Sequence, residues 1–167
     1  EFSAQCGVKI RGAWSRNGGY PKHAFRLFFR NEYGMGSLNH PLFGADGPQS
    51  FGKIDLRCEQ NSAWANNQAD NTMVHEVFSR DSQRDMGQPY NKSHYYHLFL
   101  NGCYWGIYQT EERVDQKYCA DNVGGSEENY DVARTSNVNN GSGANYTTGI
   151  VEGETAAWEA LWNISMK

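Results

Sequence analysis

Arg11, Lys22, Arg26 and Arg30 gather on either side of a loop whose tip reads Asn17-Gly18-Gly19. Cationic side chains flanking a glycine-bearing loop between two strands are the parts that cover and neutralise phosphates. The same pattern also fits an ordinary hairpin with a solvated basic edge. Other constellations are missing: the chain has no G-x-G-x-x-G, Walker loop, G-x-S-x-G or H-E-x-x-H. The histidines His23, His40, His75, His94 and His97 are scattered, and His94 and His97 read as side chains of a sheet. Cys6, Cys58, Cys103 and Cys119 lack C-x-x-C spacing, which argues against zinc and leaves three disulfide connectivities open.

The elements that must position these groups are organised around His94–Asp115. Two aromatic-rich runs flank Asn101-Gly102, the strongest local signal for a type I′ hairpin. With that turn, Leu100 is expected opposite Cys103, Leu98 opposite Trp105 and Tyr96 opposite Ile107. Both faces are then apolar, which predicts a central hairpin covered on both sides. Gly106 falls opposite His97, and a glycine within a strand marks a close approach or simple packing under a bulky neighbour.

Upstream, Gly7–Gly12 and Ala24–Arg30 alternate as two strands of a hairpin, and Lys53–Cys58 is a third strand. In that third strand Ile54 and Leu56 share one face, and Asp55 and Arg57 the other. Tyr33–Gly52 reads as irregular, with Pro41-Leu42-Phe43 as a plug for the core. Glu59–Asn71 is polar and turn-rich, with Asn71 capping a helix to about Met86. Thr110 is expected to cap a further helix to about Ala120, placing Glu111 and Glu112 in its first turn. Tyr130–Arg134 is a short strand, 135–149 an Asn/Gly/Ser/Thr-rich mobile loop, and a last helix starts near Gly153. The whole is an α+β unit: a mainly antiparallel sheet with two to three helices.

The 167 residues carry a net charge of −4 and a mean hydropathy of −0.77. Without a basic run, binding to nucleic acid through bulk charge is not expected. No apolar run approaches the roughly 18 residues of a membrane span, and a signal peptide is not expected in these residues, whose start lacks a basic-then-apolar pattern. The even cysteine count and four Asn-x-Ser/Thr acceptors, at Asn91, Asn140, Asn145 and Asn163, tilt the reading toward an exported protein.

Several blocks resemble the CotH family of spore-coat and secreted kinases. They are Arg11-Gly12-Ala13-Trp14-Ser15, Pro21-Lys22-His23-Ala24-Phe25-Arg26-Leu27-Phe28-Phe29, Leu38-Asn39-His40-Pro41-Leu42-Phe43 and Leu56-Arg57. Arg80-Asp81, the His97–Tyr108 hairpin, Glu112-Arg113-Val114-Asp115, Gly124-Gly125 and Tyr130-Asp131-Val132 follow in the family's order. The hairpin and the E-R-x-D block are the most specific. His23 stands where the family usually has a second lysine. The resemblance implies a kinase-like fold that binds ATP with Mg²⁺ and phosphorylates protein hydroxyls, in a secreted, cell-surface or spore-coat setting. It implies Lys22 and Arg26 as contacts to the ATP phosphates with Arg11 nearby, and the helix from Asn71 as a regulatory helix with Arg80 facing the site. It also places Glu111, Glu112 and Asp115 near the nucleotide. The family's catalytic and metal-binding aspartates lie in later segments, so the chain reads as the N-terminal portion of such a domain, with metal ligands outside it.

Two other readings use different features. A non-catalytic surface module would bind through exposed Tyr and Trp rings. A structural piece of an assembly would use the final helix, with its Trp158, Leu161 and Trp162 stripe, against a partner.

Overall fold

The computed structural model describes residues 2–12, 14–45, 47–59, 72–139 and 144–166, and no side chain is described for Trp14 or 135–148. The chain forms two compact units, Glu1–Arg113 and Val114–Lys167. It is α+β, with a mainly antiparallel sheet and, among the described residues, three α-helices. None of the described helices is long and apolar enough to cross a membrane.

The first unit is built on five antiparallel strands: β1 (Gly7–Arg11), β2 (Ala24–Phe28), β5 (Lys53–Arg57), β6 (Ser93–Leu100) and β7 (Cys103–Glu112). Their order across the sheet is β1-β2-β5-β7-β6. Two short strands, β3 (Leu38–Asn39) and β4 (Ser50–Phe51), pair apart from it. They give local order to a stretch that its glycines and prolines mark as irregular.

Register decides the two faces. Arg26 pairs with Asp55, and Asp55 pairs with Glu111. Because successive side chains alternate, that row and the neighbouring Arg11, Arg57 and Gln109 share one face. Leu27, Ile54 and Leu56 share the other, where Phe29, Leu38, Phe43, Phe51 and Ile54 form the main core. The Pro41-Leu42-Phe43 plug is real: Phe43 is buried, Leu42 packs on that core, and Tyr96 Oη donates to the Leu42 carbonyl at 3.1 Å.

The hairpin differs from its simplest reading. Asn101 and Gly102 have φ of 50° and 81°, as a type I′ turn requires. Leu100 does face Cys103, but Leu98 faces Gly106 and Phe99 faces Tyr104. Trp105 is therefore an extra residue, a β-bulge, and beyond it the register moves by one: Ile107, not Gly106, faces His97 and Tyr108 faces Tyr96. Gly106 takes φ +117°, and a Cβ there would stand 3.3 Å from Lys22 Nζ. The glycine thus admits a lysine side chain. The hairpin is also not covered on both sides. β6 is an edge strand, and Phe99, Tyr104 and Trp105 are exposed near the tip.

Thr110 caps no helix. β7 continues through Glu112 because its backbone is paired with β5 as far as Glu112 and with β6 as far as Glu111. Two complete hydrogen-bond ladders outweigh the local preference of Glu111 and Glu112 for a helix start. α1 spans His75–Asp85, and the expected cap Asn71 lies outside the described residues, as does the rest of the polar run Glu59–Asn71 after Glu59. No side chain of α1 is buried.

In the second unit, α2 (Gln116–Val123) starts after Asp115, whose side chain accepts from the Tyr118 N–H at 3.1 Å. Most of 135–149, expected as a loop, lies in the paired strands β8 (Val132–Asn139) and β9 (Ala144–Glu152). Main-chain pairing needs no apolar side chain, and the β-branched residues in these runs suit it. α3 spans Ala156–Ser165. The four cysteines form no disulfide.

Candidate functional site: an arginine–carboxylate layer on the sheet

The polar face of the first unit's sheet carries Arg11, Arg26 and Arg57 from three adjacent strands, and α1 adds Arg80. Arg26 grips Asp55 with two bonds, Nε to Oδ1 at 2.5 Å and Nη2 to Oδ2 at 2.8 Å, and Arg11 Nε lies 2.6 Å from Oδ2. Glu111 meets Arg80 through Oε2, and through Oε1 lies 3.5 Å from Arg11 and 3.8 Å from Arg57.

Glu76 is the busiest acceptor. Its Oε2 takes hydrogen bonds from Gln109 Nε2 at 2.7 Å, Arg57 Nε at 3.0 Å and Arg80 Nη2 at 3.1 Å, and its Oε1 pairs with Arg57 Nη2. Four guanidiniums thus meet three carboxylates in one layer. The layer draws acid and base from distant parts of the sequence because only register and helix placement bring them together.

Burial sets the energetics. Asp55 is 1% exposed and Glu111 nearly as closed. Ions so placed are held only while paired. Burial is the main influence lowering the proton affinity of Arg57; Glu111 and Asp55 oppose it, while Arg11 and Arg80 add to it. The layer keeps unmet capacity. Arg80 Nη1 and Gln109 Oε1 are buried without a hydrogen-bond partner among the described residues. Buried polar groups are normally satisfied, so an orphaned guanidinium N–H marks a place for an acceptor.

Glu59, next in the chain after Cys58, is 4% exposed, and neither carboxylate oxygen has a hydrogen-bond partner among the described residues. Burial raises its pKa, against the pull of His75, Arg57 and Arg80. A raised carboxyl pKa means the folded state holds the proton better than the unfolded one. The resulting stabilisation is complete below the unfolded value and is lost as pH rises through the folded one. Glu59→Gln is therefore expected to gain stability over the wild type as pH rises from about 4 toward 7. Urea unfolding across that range checks it, and a difference independent of pH would refute it.

Of the residues marked in the sequence, Arg11, Arg26 and Arg80 come together here, with Glu111. Lys22 does not join them. Its Nζ donates to the Ile107 carbonyl at 2.7 Å and lies 4.7 Å from the Tyr108 ring centroid, on the apolar face. Glu112 pairs across to Ile54 on that same face and accepts from the Lys92 N–H at 3.3 Å. Asp115 belongs to the second unit, where it caps α2. Arg30 pairs at the surface with Glu32 at 3.3 Å.

Sequence reasoning named the side on which Asp55 and Arg57 lie but assigned them no role. It missed Glu76 and Gln109. The Glu76/Arg80 i,i+4 spacing was the available signal for the first; Gln109 had none, since its place depends on register.

The fold and layer define an α+β protein whose arginines and acids are interleaved on one sheet face. The chain belongs to the CotH kinase protein family, whose family model matches residues 8–165. No curated protein matches the chain.

Proposed function

We propose that this chain provides the nucleotide-binding part of a CotH-family kinase, which passes the γ-phosphate of ATP to protein Ser or Thr hydroxyls. The triphosphate is assigned to the arginine face, to Arg80 first and to Arg11, Arg26 and Arg57 around it. The observation that carries this is the buried, orphaned Arg80 Nη1 within a cluster of guanidiniums. Guanidinium is the cation best matched to phosphate oxygens, because its fork donates two parallel bonds.

An anion fits these residues; Mg²⁺ does not. Among the described residues no three His, Cys, Asp or Glu side chains gather into a metal site. Asp55, Glu76 and Glu111 are all engaged with arginines. No metal-dependent step is therefore assigned to this chain.

Calorimetry of the intact protein with Mg-ATP tests the assignment. Arg80→Ala is expected to weaken binding about tenfold or more, since a charge-assisted hydrogen bond contributes ~1.5–3 kcal/mol. Lys22→Ala is expected to change affinity by less than about twofold, because its ammonium serves Ile107 and Tyr108 on the other face. Equal losses in both variants would move the phosphates off the arginine face. No loss in Arg80→Ala would remove that face from the site.

The exposed rings of Phe99, Tyr104 and Trp105 favour a second reading, a surface module that binds through aromatic contacts. It predicts no Mg-ATP binding by the intact protein in the same calorimetry.

A further inference from the structure

Among the three carboxylates of the arginine layer, Glu76 differs in kind. The Asp55 and Glu111 side chains are 2% and 5% exposed and stand on paired strands, whereas the Glu76 side chain is 30% exposed and stands on α1. α1 itself has no buried side chain, and Phe78 is 72% exposed. Its described ties to the sheet are polar. They are Glu76 to Arg57 and Gln109, Arg80 to Glu111, and, just ahead of the helix, Tyr95 Oη donating to the Met73 carbonyl at 2.5 Å. A helix held this way has little apolar burial, Val77 being only half-buried, to keep it in place when its ion pairs are exchanged.

We propose that Glu76 is an internal stand-in for a ligand anion: a polyphosphate displaces its carboxylate from Arg57 and Arg80, and α1 loosens from the sheet as the ligand binds. The proposal rests on the reading of the arginine face as a phosphate site and deepens it. The exchange is chemically favourable. A polyphosphate offers several charged oxygens in the geometry that guanidinium forks prefer, against the single charge of Glu76. Arg80 Nη1 already lacks an acceptor beside the carboxylate that would leave. Asp55 and Glu111 stay, so Arg11 and Arg26 remain paired while Arg57 and Arg80 turn to the ligand; the loosening falls on the Glu76 turn of α1, which loses its bonds to both Arg57 and Gln109. Binding and helix docking are then coupled with opposite sign, and the coupling is reciprocal.

Hydrogen exchange of the α1 amides in the intact protein reads this directly. Sodium tripolyphosphate is compared with sodium chloride at matched ionic strength, which separates displacement from screening. Tripolyphosphate is expected to reduce protection of α1 relative to the chloride control. Glu76→Gln is expected to show reduced α1 protection without any anion and to bind tripolyphosphate about fivefold tighter or more, the lower end of typical coupling between sites. Unchanged or increased α1 protection on adding tripolyphosphate to the wild type overturns the proposal, as does weaker binding by Glu76→Gln. If tripolyphosphate loosens α1 while Mg-ATP does not bind, the displacement stands and the nucleotide reading fails. If Mg-ATP binds with α1 protection unchanged, the nucleotide reading stands and the displacement fails.

Discussion

Asp55→Ala is expected to destabilise the first unit by about 3–5 kcal/mol, the scale seen when one partner of a buried ion pair is removed. Asp55 is 1% exposed and receives both Arg26 and Arg11. Deleting it leaves two guanidiniums in a layer that already holds Arg57 and Arg80, with Glu111 and Glu76 as the remaining acids. Asp55→Asn keeps the shape but removes the charge, so it should also destabilise, by less than alanine. Urea unfolding of the intact protein measures both. A loss below about 1 kcal/mol, the range of surface pairs, would mean that Arg11 and Arg26 return readily to water. The Asp55 pairings would then be incidental to the sheet.

Tyr108→Ala is the second large effect, about 3–5 kcal/mol, as for other big aromatic side chains deleted from a core. Tyr108 is 1% exposed, packs against Phe25 with ring centroids 5.9 Å apart, and donates to the His23 carbonyl at 2.8 Å. Lys22 lies over its ring. Tyr108→Phe keeps the ring and removes the hydroxyl, leaving the His23 carbonyl without that donor at a cost of about 1 kcal/mol. The phenol also predicts a pH effect. Burial raises its pKa, with Cys58 nearby adding to the shift. The folded state therefore keeps the phenolic proton more tightly than the unfolded chain does. The stability this contributes is complete below the unfolded value of about 10 and is lost as pH rises beyond it. Wild-type stability minus that of Tyr108→Phe should fall above that pH. A difference that stays flat from pH 8 to pH 11 would show that Tyr108 ionises as easily folded as unfolded.

These two residues lie on opposite faces of one sheet, and the sheet separates two cations that are close neighbours in the chain. Lys22 and Arg26 look like one basic group along the chain. In the fold, Arg26 is bound to Asp55 on the polar face, while Lys22 reaches over Tyr108 on the apolar one. The layer that holds Arg26 includes residues far apart in the chain, from Arg11 to Glu111.

Local order determined much of this protein. Alternation in GVKIR, AFRLF and KIDLR marked three strands and told the charged side from the apolar one. Asn101-Gly102 specified its turn because few residues tolerate positive φ at both positions. The ordered CotH-like blocks pointed to the family that the match over residues 8–165 establishes. The tertiary structure alone decided the rest. Glu111 and Glu112 have the local preferences of a helix start, but pairing of Glu111 on both edges of β7 and of Glu112 with Ile54 keeps them in a strand. The bulge at Trp105 shifted the hairpin by one residue so that Gly106 could admit Lys22. Glu76 joins the layer only because α1 lies beside β7, and Gln109 only through the register of β7 against β5. The physical reason is that local propensities differ by less than the energy of completed hydrogen-bond ladders and paired buried charges, and those depend on partners that no short stretch of sequence contains.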